Sequence, residues 1–217
     1  LYTIDGVPFL DHHVYVKMSQ GLLDPPKRKT TYTHSWAERH GETIDLDTNY
    51  LEPRSITLQC FMPAPNRITF TWQWNDFIQH FTSPGLHRLM LDLHPNHPLV
   101  YDIYMPDTVA LTKRWNDTRM VGEFNLKLRE PEPLKRVIRF RADTTPSTHT
   151  IQLSTASLIN ISWGDGTRTT DIGATPSPLH TIQHTYTSQG IHYAIIYGDI
   201  DNITNFATDG IIIWDKI

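Results

Sequence analysis

Apolar and polar residues alternate along most of this chain, a pattern typical of β-strands that bury one face. In the clearest segment, four apolar residues hold every second position: Ile56, Leu58, Cys60 and Met62. The same period of two recurs at residues 14–16, 89–93, 99–103, 109–111 and 120–129. Because successive side chains of a strand point to opposite faces, these segments are expected to be strands, and the chain is expected to be mainly β.

One segment, Trp72–Phe81, has helical spacing instead. Its apolar residues at offsets of three and four form one stripe: Trp74, Phe77, Ile78 and Phe81. Asn75 is the candidate cap of a shorter helix, and the sequence Ser83-Pro84-Gly85 is expected to end it. A lone helix among strands needs a sheet to cover. We therefore predict an N-terminal β-sandwich or barrel with one short helix packed on it.

A second pattern lies between residues 30 and 47, which we call the arm. Aromatic residues alternate with polar ones before a turn at residues 37–41, and two aliphatic residues follow, again two apart. This is typical of a hairpin, and its apolar face is expected to be covered by something outside its own domain. The expected contact residues of this assembly arm are Tyr32, His34, Trp36, Ile44 and Leu46.

The sequence Glu130-Pro131-Glu132-Pro133 interrupts the last long strand and is the best candidate for a domain boundary. We therefore predict one domain over residues 1–133 and a second over residues 134–217. Six short strands are expected in the second: Val137–Arg141, Thr150–Leu153, Leu158–Trp163, Leu179–Tyr186, Ile191–Tyr197 and Gly210–Trp214. That number in so short a stretch predicts a small β-sandwich.

Composition argues against several classes of function. The net charge of −4 gives no electrostatic attraction to nucleic acid. No apolar run approaches the roughly 20 residues that a membrane helix needs. The single cysteine, Cys60, lies on the apolar face of a predicted strand and is expected to be a packed hydrophobe, and a chain without disulfides suits assembly in a reducing cytoplasm.

Catalytic and metal-binding motifs are not evident. The sequence has no nucleophile elbow, phosphate loop or zinc-protease helix. Its histidines do not form a clear ligand set: His94 and His97 flank a predicted turn, and His180 and His184 would stand about 13 Å apart along a strand. We expect no enzyme activity, no cofactor and no metal.

The sharpest local motif is the run from Trp163 to Thr167, Trp-Gly-Asp-Gly-Thr, followed by His184-Thr185-Tyr186 and a glycine at position 190. Trp163 would end a strand as a core residue, and Asp-Gly is typical of a tight turn. This pattern resembles the polycystic-kidney-disease (PKD) immunoglobulin-like domain over residues 135–197, although the chain beyond Tyr197 is longer than that family's last strand. The resemblance implies an immunoglobulin-like sandwich in which the motif residues are structural: Trp163, Asp165, Gly166, His184, Tyr186 and Gly190.

The order of elements over residues 4–133 resembles that of phage tail-tube and distal-tail proteins. This resemblance implies a non-enzymatic structural subunit of a phage or prophage tail that assembles with itself into rings, such as hexamers, and contacts other tail proteins. It also implies assembly in the host cytoplasm and a final place in the virion tail. The alternative is a carbohydrate- or surface-binding protein of two β domains on a bacterial cell surface, with sugars stacked on Trp115, Trp163 or Trp214.

Overall fold

The computed structural model describes residues 1–30, 32–45, 47, 49–94, 96–116, 119–174 and 178–216. The fold is mainly β, with several antiparallel sheets and one α-helix among these residues, which confirms the predicted fold class. In the N-terminal part, residues 1–133, the strands are β1 (Tyr2–Ile4), β2 (Val7–Pro8), β3 (Tyr15–Gln20), β4 (Thr33–His34), β5 (Thr43–Ile44), β6 (Arg54–Ala64), β7 (His87–Leu91), β8 (Leu99–Ile103), β9 (Leu111–Trp115) and β10 (Met120–Glu130). A 3-10 helix (Phe9–His12) and helix α1 (Arg67–Thr82) complete it.

Two four-stranded sheets enclose the N-terminal core, in the orders β2-β1-β7-β8 and β3-β6-β10-β9. Strands β6 and β10 pair along their whole length, from Arg54 opposite Glu130 to Ala64 opposite Met120. The alternate residues of β6 that the sequence singled out are buried in this core, together with the inward side chains of β10. The strand at residues 109–111 begins only at Leu111, and the one near residue 14 extends to Gln20.

Helix α1 begins earlier than its apolar stripe indicated. Asn66, and not Asn75, caps it, because the Asn66 Oδ1 atom accepts a hydrogen bond from the Thr69 amide at 2.8 Å. The extra first turn holds β-branched residues, Ile68, Thr69 and Thr71, whose low helix propensity hid it from the sequence pattern. The helix packs Phe70, Phe77 and Phe81 into the core, and the predicted start at Trp72 was wrong by five residues.

The C-terminal part, residues 134–217, contains eight described strands instead of the six predicted. They are β11 (Lys135–Ala142), β12 (Ser147–Thr155), β13 (Ile159–Ser162), β14 (Arg168–Ile172), β15 (His180–Tyr186), β16 (Gly190–Gly198), β17 (Ile203–Thr208) and β18 (Ile211–Asp215), with a 3-10 helix at Ile200–Asn202. They form one sheet in the order β14-β13-β16-β11-β18 and another in the order β15-β12-β17, around a separate core. The two strands that the sequence missed, β14 and β17, are edge strands with partly exposed residues, and neither shows a regular alternation of apolar and polar positions.

A third apolar cluster joins the two parts of the chain. Val100 on β8 packs with three residues of the C-terminal part: Val137, Ile195 and Ile213. Strand β8 is therefore buried on both faces. The division into domains at residues 133 and 134 stays a prediction, because the two cores are distinct but share this junction.

Two buried charge clusters reinforce the junction. Arg88 donates from Nε to Asp102 Oδ1 at 2.6 Å, from Nη2 to Ser162 Oγ at 2.8 Å, and from Nη1 to the Tyr193 carbonyl. Burial alone would raise the pKa of Asp102, but the Arg88 guanidinium and the hydrogen bonds outweigh it and lower that pKa.

The second cluster lies where the predicted linker begins. Glu130 accepts hydrogen bonds from Arg54 Nε at 3.0 Å and from Lys135 Nζ, and all three side chains are buried. The Lys135 ammonium also lies 3.9 Å from the centre of the Tyr101 ring. Burial lowers the pKa of Lys135 to about 8, even though Glu130 opposes the shift. The linker motif therefore starts at a buried ion cluster.

Candidate assembly surface

The arm forms a hairpin whose two legs pair at two levels. At its base, the Lys29 amide donates to the Tyr50 carbonyl at 2.8 Å, and the Glu52 amide donates to the Lys27 carbonyl at 2.7 Å. Further out, strands β4 and β5 pair with each other and, among the described residues, with no other strand. An isolated two-stranded hairpin is at best marginally stable in water.

Large side chains on this hairpin face solvent. The exposed fractions are 71% for Tyr32, 51% for Trp36 and 43% for Ile44. The rings of Tyr32 and His34 are parallel at 6.4 Å, and the rings of His34 and Trp36 meet edge to face at 4.2 Å. Three aromatic side chains therefore form a row along the arm in the single chain. Leu46, the fifth predicted contact residue, lies outside the described residues.

Helix α1 carries a second exposed apolar surface that the sequence analysis missed. Ile68 and Trp72, one turn apart, are 65% and 71% exposed. Their spacing of four residues places them on one helix face, opposite the buried phenylalanines. The spacing of Ile68 and Trp72 can be read from the sequence, but Ile68 lies in the first turn, which the apolar stripe did not include in the predicted helix.

Several motif residues of the C-terminal part contact one another at one edge of its core. Trp163 is 1% exposed, and its Nε1 atom donates to Thr169 Oγ1 at 2.9 Å. The Tyr186 hydroxyl donates to the Trp163 carbonyl at 2.9 Å, and the His184 ring stacks on the indole at 4.7 Å. Trp163, Tyr186 and His184 are thus in contact with one another, and the structural role expected of them stays a prediction.

The turn after Trp163 is held by side-chain hydrogen bonds. Asp165 Oδ1 accepts from the Thr167 amide at 3.0 Å, and Asp165 Oδ2 lies 2.7 Å from His184 Nε2. Burial alone would raise the pKa of Asp165, but the hydrogen bonds from Thr167 and His184 lower it overall. Gly166 and Gly190 have φ values of +89° and +132°, which side-chain-bearing residues rarely adopt.

Gly164 has a role that the motif alone did not reveal. A Cβ atom at this position would lie 2.7 Å from the Tyr193 carbonyl oxygen and 3.1 Å from Arg88 Nη1. The glycine therefore leaves room for the Arg88 guanidinium to cross from the N-terminal part to the C-terminal part. The motif therefore forms a turn and, through Gly164, also contributes to the junction between the two parts of the chain.

A cleft of about 500 Å³ lies beside this junction, lined in part by Arg88, Asp102, Asp165 and His192. Its two most buried charges, Arg88 and Asp102, are paired with each other. Within the described ranges, no group of three or more His, Cys, Asp or Glu side chains is placed to hold a metal ion. In the same part of the chain, no helix is long and apolar enough to cross a membrane.

His149 is expected to make the C-terminal core sensitive to acid. Its ring is fully buried, stacks on Phe140 at 4.5 Å and places Nε2 2.9 Å from Thr208 Oγ1 and 3.1 Å from Asp209 Oδ1. Burial lowers the pKa of His149, although Asp209 opposes the shift and His184 adds to it. The native state therefore binds fewer protons than the unfolded chain just below pH 6.5, and its stability should fall as the pH falls through that window.

We expect a lower melting temperature at about pH 5 than at about pH 7.5, measured by circular dichroism. The variant His149→Gln keeps an amide near Thr208 but cannot titrate, so its melting temperature should depend less on pH. Equal pH dependence in the variant and the parent would show that His149 is not the cause.

Comparison with solved structures shows a likeness to a phage protein. A solved structure of the SPP1 Dit protein, described as a paradigm of the hub adsorption apparatus in phages that infect Gram-positive bacteria, overlaps 91% of this chain and 98% of its own. The TM-score is 0.45 and the sequence identity is 10%. A likeness this distant does not establish a family or a function. No protein-family model matches the sequence, and the sequence search of curated proteins found no match.

Proposed function

We propose that this chain is a non-enzymatic structural subunit of a phage or prophage tail, of the tube or distal-tail type, that assembles with itself into rings. The observation that carries the proposal is the arm, a two-stranded hairpin with an exposed aromatic row that no other strand supports in the described part of the chain. Exposed apolar arms are a liability in a monomer and an advantage in an assembly. The order of the N-terminal elements supports the choice of a tail protein among self-assembling proteins.

The C-terminal part is proposed to be an appended PKD-like sandwich. Its support is the bond from the Tyr186 hydroxyl to the Trp163 carbonyl and the turn at Asp165 and Gly166. In this proposal the domain decorates the ring and meets other tail proteins, and the subunit is assembled in the host cytoplasm and ends in the virion.

The carbohydrate-binding alternative has less support. Trp163 is buried, and Trp214 is half-buried with its Nε1 atom donating to the Pro98 carbonyl at 2.7 Å. Trp115 is half-buried against Phe70. None of the three presents the open indole face on which a sugar would stack.

Deleting residues 30–47 and joining the ends with a short glycine-serine linker tests the proposal. The deleted segment lies outside both cores, so the variant should melt like the parent. Light scattering after size exclusion should show oligomers for the parent and monomers for the variant. As a control, a linker of the same composition replacing residues 187–189, an exposed turn of the C-terminal part, should leave the oligomers intact. Oligomers that survive the arm deletion unchanged would contradict the proposed role of the arm.

A further inference from the structure

The arm and helix α1 present two different exposed apolar surfaces on one chain. We propose that the arm of one copy docks on the helix patch of the next copy, where the helix patch comprises Arg67, Ile68, Trp72 and Lys113. This inference rests on the proposed function and names the surface that receives the arm. Both surfaces are exposed in the single chain, so neither covers the other within it.

Apolar complementarity is the first support. Ile68 and Trp72 project from the helix without a covering layer, and Tyr32, Trp36 and Ile44 project from the arm in the same way. Aromatic side chains such as tryptophan and tyrosine are the residues that most often dominate protein interfaces. Contact between the two surfaces would remove both from water at once.

Charge complementarity is the second support. The arm carries four exposed carboxylates against one arginine, Arg39; they are Glu38, Glu42, Asp45 and Asp47. The helix patch carries two cations, because Arg67 and Lys113 lie 5.6 and 5.1 Å from the centre of the Trp115 ring. The carboxylates around it have partners of their own: Asp76, one helical turn after Trp72, lies 2.9 Å from His12 Nδ1, and Glu123 is engaged by Lys17 at 2.7 Å and by Arg114 at 3.4 Å. Arg67 and Lys113 are therefore left to face an acidic partner.

The symmetry of the contact supports a ring. A surface that pairs with itself gives a two-fold dimer, whereas contact between two different surfaces of the same chain is head to tail and closes into a ring or continues as a filament. The arm can also reach away from the core of its own subunit. The eight residues from Lys27 to His34 are joined by seven steps and span at most about 23 Å at 3.3 Å per step.

Charge reversal tests the pairing. The patch variant Arg67→Glu/Lys113→Glu and the arm variant Glu38→Lys/Glu42→Lys should each raise the concentration needed for assembly by at least about tenfold, because like charges then face each other. A chain that carries all four substitutions should assemble again. The control Arg141→Glu/Lys216→Glu, with two exposed cations of the C-terminal part, should assemble like the parent. All these positions are exposed, so melting curves should be unchanged.

Light scattering across a concentration series separates the outcomes. Loss of assembly in both reversed variants with recovery in the fourfold variant supports the docking. If deletion of the arm abolishes oligomers while the patch variant assembles normally, the arm docks elsewhere and this inference is wrong, although the proposed function stands. If the parent remains monomeric at every concentration, both are wrong.

Discussion

Trp163→Ala is expected to lower the free energy of unfolding of the C-terminal part by about 3–5 kcal/mol, the usual cost of truncating a large buried aromatic side chain. The indole fills the core, and the His184 ring stacks on it. The backbone carbonyl of the same residue accepts the Tyr186 hydroxyl, so a shift of the strand end would also strain that bond. Urea denaturation followed by circular dichroism measures the change.

Trp36→Ala is the matched control, because it removes the same side chain from the exposed arm. Its free energy of unfolding should stay within about 0.5 kcal/mol of the parent. A near-neutral result for Trp163→Ala would mean that the indole is not a core residue, and it would restore Trp163 as a surface for sugar stacking.

Glu130→Ala is expected to be as costly, at about 3–5 kcal/mol, because it leaves two buried cations without their shared carboxylate. Arg54 and Lys135 both bond to Glu130, and both side chains are almost inaccessible to water. The loss should affect the junction between β10 and β11 and therefore both parts of the chain. Thermal melts monitored by circular dichroism would record it as a lower transition temperature.

Lys135→Met is the informative control for this cluster. It removes one cation but leaves Glu130 paired with Arg54, and the apolar methionine fits a buried site beside Tyr101. Its cost should therefore be much smaller than that of Glu130→Ala, since an apolar replacement in a buried ion pair is often nearly neutral. Equal losses in the two variants would mean that the carboxylate does not hold the cluster together.

The sequence predicted the parts of the fold in which one face is buried and the other is not. The alternation at Ile56, Leu58 and Cys60 located β6, and the stripe through Phe77 and Phe81 located the helix. Strand β14 escaped notice because four of its five residues are polar, and β17 because its core-packing residues, Ile203 and Phe206, are three positions apart and do not alternate. A period of two appears in the sequence where one face of a strand is buried, and these two strands bury few side chains.

The junction could not be predicted for a different reason. Arg88, Asp102 and Ser162 are far apart in sequence, and nothing local indicates that one guanidinium would bond to the other two. Gly164 appeared to be part of a turn motif, yet it is also the position that leaves room for Arg88. Long-range polar contacts of this kind depend on how two cores meet, which local patterns do not record.

The candidate assembly surface was predicted in part. The alternation of Tyr32, His34 and Trp36 indicated a hairpin with an apolar row, and the structure places those side chains on an exposed hairpin. The pair of Ile68 and Trp72 was missed because the helix was expected to start at Trp72. Ile68 lies in the turn before that residue, so the prediction did not place the two side chains on one helix face.

Negative-stain electron microscopy of the purified intact chain at high concentration tests the central claim most directly. We expect closed rings of identical subunits, with the arm of each subunit lying on its neighbour. A population that contains only monomers, from a protein that binds a glycan with a defined affinity, would contradict this account.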